Sequence, residues 1–110
     1  LVSGSSKFSQ LLEKTTKSNL GLAVIIGNDK KLIGVISDGD IKRIMKENKN
    51  SESIQIKKVM TKTPVTVSAT MLAAEALSVL EEKNINALPV MDKDKVLGIL
   101  TLKDIIKSIN

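Results

Sequence analysis

Apolar positions along this chain fall into two alternating periods, one of helices and one of short strands. Phe8, Leu11 and Leu12 lie on one side of a predicted helix over residues 8–17. Residues 22–26 and 31–36 are brief apolar runs that read as a hairpin around Gly27-Asn28-Asp29-Lys30. Ile41, Ile44 and Met45 then form a second helical stripe. The polar stretch Glu47-Asn48-Lys49-Asn50-Ser51-Glu52-Ser53 has no apolar period and reads as a linker, after which residues 54–60 are expected to make a short helical turn. Pro64-Val65-Thr66-Val67 alternates and is β-branched, which predicts a short strand opened by a proline. Ser68 or Thr70 can cap the helix that follows, whose stripe is Leu72, Ala76, Val79 and Leu80 and whose end is Lys83-Asn84. Residues 87–90 and 95–100 flank Met91-Asp92-Lys93-Asp94 as a second hairpin, and Ile105, Ile106 and Ile109 line one side of a last helix.

The same order, β-α-β-β-α, therefore occurs twice. Sliding residues 23–45 onto 87–109 without a gap, an offset of 64, pairs identical residues at Ala23/Ala87, Lys31/Lys95, Gly34/Gly98, Asp40/Asp104 and Ile41/Ile105. Other pairs keep apolar character, such as Ile26/Val90 and Ile36/Leu100. The first repeat is expected over residues 1–50, its opening strand truncated to Leu1-Val2, and the second over residues 51–110. A three-stranded unit with helices on one face leaves its other face bare. The expected fold is thus α+β: two β-α-β-β-α repeats packed about a pseudo-twofold axis as one compact module, with one shared core and two equivalent clefts.

Composition narrows the chemistry. At 110 residues and 42% hydrophobic content the chain can bury one domain-sized core. With no Cys and no His, thiolate nucleophiles, imidazole bases and ordinary zinc sites are excluded, and so is a disulfide scaffold. This fits a reducing cytoplasm, the expected location. The net charge of +5 could attract phosphates or nucleic acid, but the lysines are dispersed and Phe8 is the sole aromatic, so bases have nothing to stack on. No nucleic-acid partner is expected. The longest apolar run, residues 20–26, falls far short of the ~20 residues of a membrane span, so no membrane association is expected either. The first residues, Leu-Val-Ser-Gly-Ser-Ser, have no signal-peptide pattern and no initiator Met, which suggests a piece of a longer chain.

Ser37-x-x-Asp40 and Thr101-x-x-Asp104 recur where each repeat passes from strand to helix. One reading is a capping box, hydroxyl and carboxylate satisfying free backbone N–H groups; Asp is shorter than the usual Glu or Gln there. The other is a ligand half-site. A helix N-terminus with a hydroxyl suits a phosphate, and a carboxylate one turn in can accept ribose hydroxyls. Lys42, Arg43 and Lys103 on the same helices could neutralise phosphate charge or stand as surface cations.

Gly-Val-Ile-Ser-Asp-Gly-Asp (34–40) and Gly-Ile-Leu-Thr-Leu-Lys-Asp (98–104), within the doubled order of elements, resemble the motif of cystathionine-β-synthase (CBS) domains. Val59-Met60-Thr61-Lys62-Thr63-Pro64-Val65-Thr66-Val67 and Ala87-Leu88-Pro89-Val90 are also similar to that family. The resemblance implies a regulatory pair that binds adenosine nucleotides, with aspartate on the ribose, Ser or Thr near the phosphate and strand backbone around the base. It implies one cleft lined by Asp104, Thr101, Thr63, Val65, Ala87, Leu88 and Pro89, with Lys103 nearby. Asp40, Ser37, Leu22 and Ala23, with Arg43, would line the other.

Lys17-Ser18-Asn19-Leu20-Gly21 followed by Ser37-Asp38-Gly39-Asp40-Ile41-Lys42-Arg43 is similar to the C-terminal CBS pair of bacterial arabinose 5-phosphate isomerases. This likeness implies an upstream sugar-isomerase domain in the parent chain, serving Kdo and lipopolysaccharide synthesis, and no catalytic residue in this fragment. It also implies a homodimer and a regulatory ligand such as AMP, ATP or, on feedback logic, CMP-Kdo, with no cofactor required. The competing expectation is a dimerisation scaffold whose clefts stay empty. An enzyme in its own right is disfavoured, because the carboxylates occur once per repeat with no converging base and nucleophile.

Overall fold

The computed structural model describes the backbone of residues 1–18, 20–48 and 50–109. The side chains of residues 16–18 and 109 lie outside the described residues, and with them the expected inward position of Ile109. The first half runs β1 (Val2–Ser3), α1 (Phe8–Ser18), β2 (Leu22–Ile26), β3 (Leu32–Ser37) and α2 (Asp38–Glu47). The second runs β4 (Val67–Ser68), α3 (Ala73–Lys83), β5 (Ala87–Asp92), β6 (Lys95–Thr101) and α4 (Leu102–Ile109). Each half is one three-stranded sheet, β1-β2-β3 or β4-β5-β6, with a parallel first pair and an antiparallel hairpin. The α+β fold with doubled β-α-β-β-α order is therefore present. Even Leu1-Val2 leaves its trace, because Val2 pairs with Ile25.

Helix faces follow the apolar stripes where a residue sits in register with its neighbours. Phe8 and Leu11 of α1 are fully buried, and Ile41 and Ile44 of α2 and Ala76 and Leu80 of α3 are nearly so. Met45 and Ile106, expected inward, are exposed. Each follows a buried isoleucine by one residue, about 100° round the helix, so burying one turns the other outward. Leu72 is 68% exposed because it is the residue before α3, with extended backbone, and does not share the helical period. Asn84 ends α3 in the left-handed conformation, its N–H returning to the last-turn carbonyls.

Three local expectations are corrected. Residues 64–66 are not a strand; the ladder begins at Val67, opposite Val90. Before it the chain is tied elsewhere, since Thr61 exchanges backbone hydrogen bonds with Val35 of the first half, at 2.9 and 3.0 Å. Neither Ser68 nor Thr70 caps α3. The Ser68 hydroxyl instead accepts from the Thr70 N–H and meets its hydroxyl, closing the turn that ends β4. The gapless alignment also needs a gap in the hairpin: Leu22 faces Ser37 where Ala87 faces Thr101, so the counterpart of Ala87 is Leu22, not Ala23.

The expected single core is in fact two. One gathers Val2, Phe8, Leu11, Ile25, Ile36, Ile41, Ile44 and Ile56, with Ile54, Val59 and Met60 of the connecting segment packed on it. The other gathers Val67, Ala76, Leu80, Leu88 and Ile105. The short turn Ile56–Lys58 in the connection is as expected. Between the halves, β2 approaches β5, the Leu32 N–H donates to the Asp94 carbonyl at 3.1 Å, and Lys31 pairs with Asp94 at 3.6 Å. Both residues of that ion pair are exposed, so it contributes little.

The repeated glycine has different work in each half. A Cβ on Gly34 would come within 2.5 Å of Met60 Sδ and 2.8 Å of the Thr61 carbonyl oxygen, whereas one on Gly98 would meet nothing within 4 Å. Gly34→Ala is therefore expected to destabilise by about 1–3 kcal/mol, because backbone has to move. Gly98→Ala should change stability by no more than about 0.5 kcal/mol. Urea unfolding of the two variants checks the difference; equal effects would contradict it.

Candidate functional site

Strand alternation decides which residues reach the space between the halves. On β2, Leu22 faces that space while Ala23 turns into the first core. On β5, Ala87 and Pro89 face it while Leu88 turns into the second core. The segment tied to Val35 closes the side with Thr61, Thr63, Pro64 and Val65, and the β3–α2 junction supplies Ser37 and Asp40. The result is a cleft of about 230 Å³, mostly apolar, with a carboxylate and two threonines.

The residues expected at two clefts are thus regrouped. Thr63, Val65, Ala87 and Pro89 stand with Ser37, Asp40 and Leu22, not with Asp104. The cause is the Thr61–Val35 pairing, which carries the chain past the first half's sheet before it enters the second. Thr101, Lys103 and Asp104 lie apart, in a groove of about 520 Å³ that also contains Leu20, Gly21, Asp38, Asn86 and Lys107. Arg43 is exposed and stands beside Asp40 without lining the cleft. Ile85 is a lining residue that nothing in the sequence marked; its place follows from the Asn84 turn that ends α3.

Both capping boxes form. The Asp40 N–H donates to Ser37 Oγ at 3.1 Å and the Ser37 N–H donates to Asp40 Oδ2 at 3.0 Å. In the second half the Asp104 N–H donates to Thr101 Oγ1 at 3.2 Å and the Thr101 N–H to Asp104 Oδ2 at 3.3 Å. Each cap uses one carboxylate oxygen. The other oxygen of Asp40 accepts from Arg43 Nη1 at 3.0 Å. Partial burial raises the pKa of Asp40, but hydrogen bonds from the Ser37 backbone and side chain, and Arg43 beside it, outweigh that and leave it lowered. Asp40 is thus held as a carboxylate at the cleft wall. Capping and an open face coexist, because a carboxylate has about four acceptor sites and the cap occupies one.

The CBS-domain family profile matches residues 1–47 and 56–110. Arabinose 5-phosphate isomerase KdsD of Pseudomonas aeruginosa is 37% identical over 106 residues, 96% of this chain and 32% of that protein. The KdsD of Yersinia pestis is 31% identical over 107 residues, 97% of this chain and 33% of its own length. The chain spans about a third of the length of these curated relatives. Among solved structures, CBSX2 in complex with AMP superposes with a TM-score of 0.87 at 25% identity, covering 99% of this chain and 85% of that one. The CBS domain pair of protein MJ0100, in complex with 5-methylthioadenosine and S-adenosyl-L-methionine, superposes with a TM-score of 0.85 at 22% identity, covering 99% and 91%. No helix among the described residues is long and apolar enough to cross a membrane. With both halves matched by one family and the whole length superposing on its solved pairs, this chain belongs to the CBS-domain family, as a tandem pair.

Proposed function

We propose that this pair is a ligand-sensing regulatory module whose working site is the Asp40 cleft, and that its ligand is an adenine nucleotide or a nucleotide-sugar. The observation that carries this reading is the joining of Ser37 and Asp40 from one repeat with Thr63, Val65, Ala87 and Pro89 from the other. A ligand there touches both halves at once, so its binding energy depends on how they are arranged. Only such a difference in affinity between arrangements can transmit a signal. Asp40 would accept the ribose hydroxyls, sharing its outer oxygen with Arg43 or displacing it. The Ser37 and Thr63 hydroxyls would face the phosphate, and Leu22, Val65 and Pro89 would border the base. The CBSX2 complex with AMP, similar over the whole chain, supports the nucleotide class.

The chain spans about a third of its isomerase relatives' length, which supports a longer parent chain; in our reading that parent carries an upstream sugar-isomerase domain, and residues 1–50 and 51–110 are the two regulatory repeats. On this reading the parent acts in lipopolysaccharide synthesis, a pathway product such as CMP-Kdo is a rational feedback ligand beside AMP and ATP, and the pair works as a homodimer in the cytoplasm. The Thr101–Asp104 groove, with Lys103, is the second candidate cleft. A different reading, a dimerisation scaffold with empty clefts, is favoured by one observation: both aspartates already satisfy main-chain amides.

Thermal unfolding separates the two. A ligand at ~100 times its dissociation constant adds about 2.7 kcal/mol, which for a domain of about 100 residues raises the melting temperature by on the order of 10 °C or more. Such a rise is expected with at least one of AMP, ATP, CMP or CMP-Kdo at millimolar concentration; none with any of them is the scaffold outcome. Asp40→Asn keeps an acceptor for the Ser37 N–H but removes the charge. It should abolish the ligand-dependent rise while changing the ligand-free melting point by only a few degrees.

The lowered pKa of Asp40 also fixes a sign. Its contribution to stability is fully present above the ordinary carboxylate pKa and is lost as pH falls through the lower folded value. The wild-type protein should therefore lose more stability than Asp40→Asn between neutral and strongly acidic pH, in paired denaturation series. An identical acid limb for both proteins would contradict it.

A further inference from the structure

The two repeats are filled unequally at one corresponding place. Val2 opposite Ile25 corresponds to Val67 opposite Val90, and each helix begins six residues after that valine, so Phe8 corresponds to Ala73 and Leu11 to Ala76. In the first repeat Phe8 and Leu11 are fully buried and occupy the space between sheet and helices. In the second, two methyls stand at those positions, while Met71 and Leu80, where the first repeat has Ser6 and Thr15, restore part of the bulk. A pocket of about 280 Å³ remains there, walled by Val67, Ala76, Val90, Leu100 and Ile105, with Asp104 at its margin.

The adjacent carboxylate differs in the same sense. In the first repeat Arg43 occupies the outer oxygen of Asp40. Lys107 corresponds to Arg43, yet among the described residues no ion pair joins it to Asp104. Asp104 spends Oδ2 on its cap, and among the described residues Oδ1 has no hydrogen-bond partner. The second repeat therefore combines an apolar space beside the two alanines with an anionic oxygen at its mouth. An apolar pocket of this volume, open to solvent on one side, has room for a ring-sized ligand.

We propose that this pocket is a further ligand site, separate from the Asp40 cleft and sharing only Asp104 with the Thr101–Asp104 groove, for a compact apolar amine. Its ring or branched body takes the space that Phe8 and Leu11 fill in the first repeat, and its ammonium rests on Asp104 Oδ1. Because Asp104 is exposed, the charge contributes direction more than affinity, about twofold to fivefold.

The test is an amide NMR titration of the chain with benzylamine, benzyl alcohol and benzoate at millimolar concentration. Saturable shifts at Ala73, Ala76 and Ile105 are expected, tightest for benzylamine, about twofold to fivefold weaker for benzyl alcohol and weakest for benzoate. Ala76→Leu, which restores the first repeat's residue, should abolish the shifts and raise the melting temperature; Ala73→Phe serves in its place if that variant does not fold. Asp104→Asn should bring benzylamine down to the affinity of benzyl alcohol. Shifts that never saturate, or that survive filling of the pocket, would overturn the site, and equal binding of amine and alcohol by the wild-type protein would overturn its preference for a cation. The Asp40 cleft enters none of these readouts, so its fate is decided separately.

Discussion

Two backbone hydrogen bonds, exchanged between Val35 and Thr61, hold the chain that leaves the first repeat against the edge of that repeat's own sheet. Without them residues 61–65 would have no reason to lie beside Asp40, and the cleft would be an open step between two sheets. The pairing is possible because residue 34 is a glycine: a side chain there would collide with Met60 and with the Thr61 carbonyl. A sequence feature that looks like a mark of family membership is thus a clearance requirement at one of its two occurrences. At the other, Gly98, the same residue has open space around it.

That asymmetry runs through the molecule. Two copies of one element order give two sheets and two pairs of helices, yet the repeats are not equivalent in packing or in electrostatics. The first core takes residues of the connecting segment, fills its interior with Phe8 and Leu11, and ties Asp40 to Arg43. The second has Ala73 and Ala76 at those places with an open pocket beside them, and among the described residues one oxygen of Asp104 has no partner. That pocket opens to solvent beside Ala73 and Asp104, so it is a recess in the surface and not an interior void. The repeated element order gives the scaffold; side-chain differences at matching positions give each half its own surface chemistry.

Much of this was legible from residue pattern alone. Helical stripes containing Phe8 and Leu11 or Ile41 and Ile44, the two hairpins and the short turn at residues 56–58 follow from local period and turn chemistry, which act over a few residues. The strand-to-helix junctions were legible as chemistry too, since Ser37-x-x-Asp40 and Thr101-x-x-Asp104 made both caps. What escaped depends on contacts distant in sequence. β-Branched residues favour a strand at Pro64-Val65-Thr66, but Thr61 is anchored to the other half and the ladder starts late. The same anchor regrouped Thr63, Val65, Ala87 and Pro89 from Asp104 to Asp40. Met45 and Ile106 looked like core residues because apolar character says nothing about which of two neighbours faces inward.

The central claim is that the cleft between the repeats is a ligand site with the Asp40 carboxylate as its anchor, and not a seam left by packing. A crystal structure of the pair grown with saturating AMP, or with whichever nucleotide stabilises it most, tests this directly. Ribose oxygens within hydrogen-bond distance of Asp40 are expected, with the base lying between Val65 and Pro89. A nucleotide bound elsewhere, or an empty cleft under those conditions, would contradict it.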